Sequence, residues 1–240
     1  YLYFNSKNQM IALKNTRIGF ATALFSVEAT DFELGKVHVL LGKNGIGKSA
    51  LLNTLSGLIS PIEGIITLDG TLLSDYSYKH LAKKIAFVRS NVKGVPFLTV
   101  DAFLLLGRYH DKSFIGKHSA ADYALVEKAK ELFGVAHLAE KFTNELSSGE
   151  LHLCAIAKAH VQQTDYILLD EPTSHLDYAN KRKVYELLGK MAKEHNKGII
   201  ISTHDLDLAF KFPFDFYLME SQSKTLKSVK TFKEVEKEFI

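Results

Sequence analysis

Residues 42–49 read Gly42-Lys43-Asn44-Gly45-Ile46-Gly47-Lys48-Ser49. Two glycines five positions apart are followed at once by Lys and Ser, the spacing of a phosphate-binding loop. The flanks agree with that spacing. Residues 37–41 are a short run of branched apolar residues that reads as a buried strand, and residues 50–58 continue as a helical run. Glycines let the backbone curl until successive N–H groups point inward, and the helix that follows adds the positive end of its dipole. Such a loop sets the Lys48 ammonium against the β- and γ-phosphates of a nucleotide and the Ser49 hydroxyl against Mg²⁺. The candidate phosphate contacts are therefore Gly42, Lys43, Asn44, Gly45, Ile46, Gly47, Lys48, Ser49 and Ala50. A glycine-rich turn opening an ordinary helix is the plain alternative, and the strand before it and the Lys-Ser pair argue against that.

Around this loop lie 240 residues, 46% hydrophobic and 24% charged, enough for one large domain or a core with a subdomain. The net charge of +3 comes from 30 basic residues interleaved with 27 acidic ones, too slight a balance to argue for a nucleic-acid partner. Cys154 is the single cysteine, which excludes an internal disulfide and suits a reducing compartment. Its neighbours Ala155, Ile156 and Ala159 make it a small core residue. No apolar run approaches the roughly 18 residues a membrane crossing needs. Charges interrupt the first thirty residues, so no secretory leader is expected. Residues 1–9 look detached, because Leu2-Tyr3-Phe4-Asn5-Ser6 resembles the scar of a cleavable purification tag. The domain is expected to run from 10 to 240.

Residues 11–20 and 26–33 read as two edge strands of a small sheet. A turn at 60–64 leads into a strand at 65–68, and a helix at 78–84 precedes a strand at 85–88. Helical periods follow at 100–109 and 120–133. In the second, Leu125, Ala129, Leu132 and Phe133 share a face, and Ser119 with Asp122 forms a capping box. Residues 91–145 thus read as a helical insertion in an α/β domain. Alternation resumes with a helix at 149–161, a strand at 166–169, a helix at 180–195 and a strand at 198–202. A short helix at 206–210, a strand at 216–219 and an amphipathic helix at 231–240, with Phe232, Val235 and Phe239 on one side, complete the chain. Such repetition predicts a largely parallel sheet covered on both faces, with ligands at the carboxyl ends of its strands.

Tyr166-Ile167-Leu168-Leu169-Asp170-Glu171-Pro172 is an apolar strand ending in two carboxylates. It delivers Asp170 to a metal, typically through a water, and Glu171 to the water that attacks. A solvated turn would use the same residues; the phosphate loop upstream favours the chemistry. Leu146-Ser147-Ser148-Gly149-Glu150 stands before a helix, where Ser147 and Glu150 make a capping box by themselves.

On these residues, over 11–240, the chain resembles the ATP-binding cassette (ABC) ATPases. That family implies a P-loop α/β fold with a mainly parallel core sheet, a small antiparallel β subdomain and a helical subdomain, with ATP and Mg²⁺ as cofactors. It also implies a head-to-tail homodimer, in which Ser147 and the Gly149 amide reach the γ-phosphate held by the partner. His204 matches the family's histidine that bridges the γ-phosphate and the catalytic carboxylate Glu171. Ser174-His175-Leu176-Asp177 matches the segment that crosses the dimer interface. Phe20 stands near the aromatic that stacks on adenine, or else is an ordinary core residue. Three departures stand out. Ser90 replaces a Gln that touches the metal, with a side chain shorter by two carbons. Ser148 replaces a glycine, so a positive φ there would be strained. Leu151, His152 and Leu153 replace polar or basic residues. Together these imply slow or strongly partner-dependent turnover.

Residues 98–100, Leu106-Gly107-Arg108-Tyr109, 119–122 and 133–135 are similar to the ATP-binding subunits of bacterial importers for iron-siderophores, haem and cobalamin. That similarity implies a separate integral-membrane permease, fed by an external substrate-binding protein, with this chain on the cytoplasmic face of the inner membrane. Val95, Phe97 and Leu98 either receive a coupling helix of that permease or belong to the core. Two other functions fit the motifs. A soluble ABC ATPase of nucleic-acid repair or translation would usually add coiled coils or a second cassette, which are not seen. A dimerisation switch with weak hydrolysis would suit Ser90 and Ser148.

Overall fold

A computed structural model describes residues 9–111 and 117–239. The lead-in expected over 1–9 falls, apart from Gln9, outside the described residues, as does Ile240 of the closing helix. In order, the elements are β1 (Met10–Gly19), β2 (Ala23–Glu33), β3 (Val37–Leu41), α1 (Lys48–Leu55), β4 (Glu63–Leu68), β5 (Thr71–Leu72), α2 (Tyr78–Lys84), β6 (Ile85–Val88) and α3 (Val100–Leu105). They continue with α4 (Ala120–Phe133), α5 (Ser148–Val161), β7 (Tyr166–Asp170), α6 (Tyr178–His195), β8 (Gly198–Ser202), α7 (Leu206–Ala209), β9 (Asp215–Glu220), β10 (Thr225–Val229) and α8 (Phe232–Phe239).

β3, β7 and β8 are buried at every position, as strands covered on both faces must be. Alternate residues still serve different layers. Val39, Leu41, Ile167, Leu169, Ile199 and Ile201 meet α5 and α6, whereas Leu40, Leu168 and Ile200 meet Leu51, Leu52 and Leu55 of α1. Each such side chain contributes roughly 1.5–3 kcal/mol by leaving water. The strands order as β5-β4-β1-β2-β10-β9-β3-β8-β7-β6. From β9 to β6 every pairing is parallel, and around β1 every pairing is antiparallel.

β1 and β2 are therefore not edge strands. β1 bonds β2 on one side and β4 on the other, and β2 meets β10 at Thr225↔Ser26, so the antiparallel part is continuous with the parallel part. The edges are β5 and β6. The first α4 face is also corrected. Val126, Ala129 and Phe133 are buried, spaced three and four apart along one stripe, while Leu132 lies on the flank and is 45% exposed. The capping box does form, with the Asp122 carboxylate accepting from Ser119 N–H at 2.8 Å. α3 ends at Leu105 and tightens into a 3₁₀ turn over Leu106–Asp111. α5 packs against both α3 and α4. Cys154 is fully buried, and burial pushes its thiol up to about 12, so it is an inert core residue.

Candidate functional site

The carboxyl ends of β3, β7 and β8 lie side by side in parallel register, with Asp170 opposite Ser202. The loop after β3 enters α1 through Gly47, whose φ of +120° a side chain rarely tolerates, and whose missing Cβ would sit 2.9 Å from the Phe25 ring. That turn swings Lys48 inward. The residue is 6% exposed, and Nζ donates to the carbonyls of Gly42 at 2.7 Å and Lys43 at 3.2 Å. Burial holds the ammonium below the usual lysine pKa, against the pull of Glu171 and Asp170.

Ser49 Oγ donates to Asp170 Oδ2 at 2.7 Å, and Ser202 Oγ donates to Asp170 Oδ1 at 2.6 Å. Glu171 follows with φ +52°, a left-handed conformation uncommon for a residue with a side chain. Its N–H donates to Ser202 Oγ at 2.9 Å, and its Oε2 lies 2.8 Å from His204 Nδ1. The backbone before His204 is tied down in turn. Thr203 N–H donates to the Leu40 carbonyl at 3.2 Å, and Tyr185 OH donates to Thr203 Oγ1 at 3.0 Å.

These groups open on a cleft of about 370 Å³ whose lining includes Phe20, Asn44, Gly45, Gly47, Lys48, Ser49, Ala50, Asp170 and Glu171. Gly42 and Lys43 stand behind it as the carbonyls that hold Lys48, and Ile46 packs into the core beneath α1. Phe20 is 68% exposed on the wall of the cleft, so it is not a core residue. A larger cavity, about 600 Å³, sits at the opposite end of β3 around Phe212 and Phe214, away from these carboxylates and Lys48. An ammonium, a hydroxyl and two carboxylates around one cleft, with an imidazole on one of the carboxylates, are the apparatus of phosphoryl transfer. The Ser49 and Asp170 oxygens suit Mg²⁺, a hard cation that takes oxygen donors and usually completes its shell with water and substrate phosphates. Among the described residues no cluster of three His, Cys, Asp or Glu offers an all-protein alternative.

Ser147 and Gly149 are not part of this cleft. Ser147 caps α5, donating to Glu150 Oε2 through N at 2.8 Å and Oγ at 2.7 Å. Ser148 is the first residue of that helix and does not take a positive φ, so the strain expected there is absent. Gly149 is needed for close approach, since a Cβ would meet the His175 carbonyl at 2.9 Å. The segment 174–177 thus rests on the first turn of α5. Leu151 and His152 are buried, Leu153 partly so, and burial next to His175 pushes the His152 imidazole down to about 4, leaving it neutral.

Ser90 lies two residues beyond the end of β6, whose Val88 is opposite Leu169, and does not line the cleft. Past it, Val95 is exposed and Phe97 is 86% exposed, its ring edge against Phe142, while Leu98 packs on the core. Sequence reasoning passed over Ser202 and Asn53; the amide of the latter donates to the Ser49 carbonyl at 2.6 Å. A polar residue closing the otherwise apolar run Gly198-Ile199-Ile200-Ile201 was the available signal for Ser202.

A family model described as "ABC transporter" matches residues 28–174. The achromobactin transport ATP-binding protein CbrD of Dickeya dadantii is 34% identical over 204 residues, covering 84% of this chain and 76% of that protein. The iron(3+)-hydroxamate import ATP-binding protein FhuC of Bacillus subtilis is 34% identical over 178 residues, covering 74% of this chain and 66% of that protein. Among solved structures, cbiO1 of Clostridium perfringens, part of the ABC transporter complex cbiONQ, aligns with a TM-score of 0.78 at 26% identity, over 97% of this chain and 93% of that one.

Proposed function

We propose a function on this footing: the chain belongs to the ABC transporter family. It is an ATP-binding subunit whose ATP hydrolysis is coupled to transport. Its cargo is of the iron-siderophore, haem or cobalamin class, carried by a separate integral-membrane permease that an external substrate-binding protein feeds. The chain works from the cytoplasmic face of the membrane; no described helix is long and apolar enough to cross one. What supports the cargo class is the likeness to ATP-binding proteins named for achromobactin and iron-hydroxamate.

The observation that carries the catalytic reading is the convergence of Lys48, Ser49, Asp170 and Glu171 on one cleft, with His204 on the Glu171 carboxylate. Phe20 takes the adenine face and residues 42–50 wrap the phosphates. Ser49 and Asp170 would hold Mg²⁺, whose charge would offset that developing on the phosphoryl oxygens; Ser90, expected as a further metal contact, lies outside the cleft. Glu171, oriented by His204, accepts the proton of the water that attacks in line, and Lys48 offsets charge on the γ-phosphoryl group. Ser147 and Gly149, which lie outside the cleft of their own chain, come from a second copy. One chain holds half of each site, and turnover needs a homodimer. Exposed Val95 and Phe97 receive the permease.

Copurification from native membranes tests the importer reading: a polytopic membrane protein and ferric-siderophore uptake that fails without this chain are expected, and a chain with no membrane partner contradicts it. Ser90→Gln restores the longer polar side chain of relatives and is expected to raise steady-state ATPase well above the unmodified rate; an unchanged rate removes Ser90 as a cause of slow turnover. Because Ser148 takes no positive φ, one of the two grounds for a non-hydrolysing switch is gone.

A further inference from the structure

Ser202 is fully buried at the end of β8, after a glycine and three isoleucines. A hydroxyl has one proton to give and lone pairs to accept with. The Glu171 N–H, 2.9 Å away, can act as donor alone, so Ser202 Oγ accepts there and gives its own proton to Asp170 Oδ1 at 2.6 Å. The other oxygen of Asp170 accepts from Ser49 at 2.7 Å. The carboxylate is thus held between two hydroxyls, one from α1 and one from β8. Glu171, meanwhile, is gripped twice by the same strand end, at its amide by Ser202 and at its carboxylate by His204. The amide grip falls on the residue whose φ of +52° needs outside support.

We infer that Ser202 is a positioning residue for both acids of the reaction. It fixes the rotation of the Asp170 carboxylate, so that one oxygen stays beside Ser49 at the metal side, and it pins the Glu171 peptide, so that the side chain stays on His204. It touches neither nucleotide nor metal. An apolar residue at 202 leaves Asp170 Oδ1 and the Glu171 amide as buried groups with a lost partner. The inference rests on the roles given above to Asp170 and Glu171.

Thr and Val have nearly the same shape and differ by the hydroxyl, so Ser202→Thr and Ser202→Val separate its hydrogen bonds from its volume. Mn²⁺ binding in the presence of a non-hydrolysable ATP analogue is read by electron paramagnetic resonance, metal-free nucleotide binding by calorimetry, and kcat by phosphate release. Relative to Ser202→Thr, Ser202→Val is expected to bind Mn²⁺ roughly 10-fold more weakly and to lose kcat by a similar factor, with metal-free nucleotide affinity kept within about twofold. Ser202→Ala, which removes the hydroxyl without adding volume, carries the same expectation should Ser202→Val not fold. Equal Mn²⁺ affinity and kcat in the two variants overturn the inference alone, as does an equal loss of metal-free nucleotide binding. A wild-type chain that binds no Mn²⁺ with nucleotide overturns the metal role of Asp170 and this inference with it.

Discussion

Glu171→Gln is expected to cut steady-state ATP hydrolysis by roughly 10²- to 10⁴-fold while Mg-ATP still binds. The carboxylate is mostly shielded, with its side chain 17% exposed, and sits 2.8 Å from His204 Nδ1. An amide of the same shape keeps that contact and the left-handed backbone but cannot take a proton from water. Lys48 and Ser49, which the proposed reading sets against the phosphates, are untouched, so affinity should hold. Single-turnover phosphate release and an equilibrium titration, run on the same preparation, separate the two quantities. A fall in binding as large as the fall in rate assigns Glu171 to holding the loop together and not to the chemistry.

Lys48→Ala is expected to act on the other half of that pair, weakening ATP binding by roughly 10²-fold or more, the scale of losing two charge-assisted hydrogen bonds. The Lys48 ammonium is buried and anchored on the carbonyls of Gly42 and Lys43, so it is already aimed and little side-chain entropy is left to lose on binding. Its pKa is lowered chiefly by burial, so affinity should weaken as alkaline pH approaches that lowered value, sooner than for an exposed lysine. Calorimetry against ATP measures both effects. Affinity unchanged in the variant would remove residues 42–50 from the nucleotide site.

The local elements were legible where the sequence is locally emphatic. β3, β6, β8 and α2 fall on their expected bounds because short branched apolar runs follow a lysine, at Lys36, Lys84 and Lys197, and α2 follows the Ser77 cap. The expectation that ligands gather at strand carboxyl ends also holds for residues 42–49 and Asp170, which follow β3 and close β7 at the same end of the sheet with β8 between them. What was not legible is non-local. β10 reads Thr225-Leu226-Lys227-Ser228-Val229, too short and too polar for its period to stand out, and without it β2 looks like an edge. Ser202 became visible through the register Asp170↔Ser202, which a parallel pair separated by α6 does not announce. The exposure of Leu132 likewise depends on where α5 approaches α4. Phe20 was ambiguous because a lone aromatic after a strand is buried or displayed according to the turn that follows.

The Glu171→Gln chain, whose hydrolysis is blocked, should change mass when ATP is added. Sedimentation velocity with saturating Mg-ATP is predicted to show a monomer becoming a dimer, since Ser147 and Gly149 stand outside the cleft of their own chain and, on the reading proposed above, come from a second copy to complete each site. A sample that binds ATP by calorimetry and still sediments as a monomer at saturating nucleotide would contradict the two-chain site.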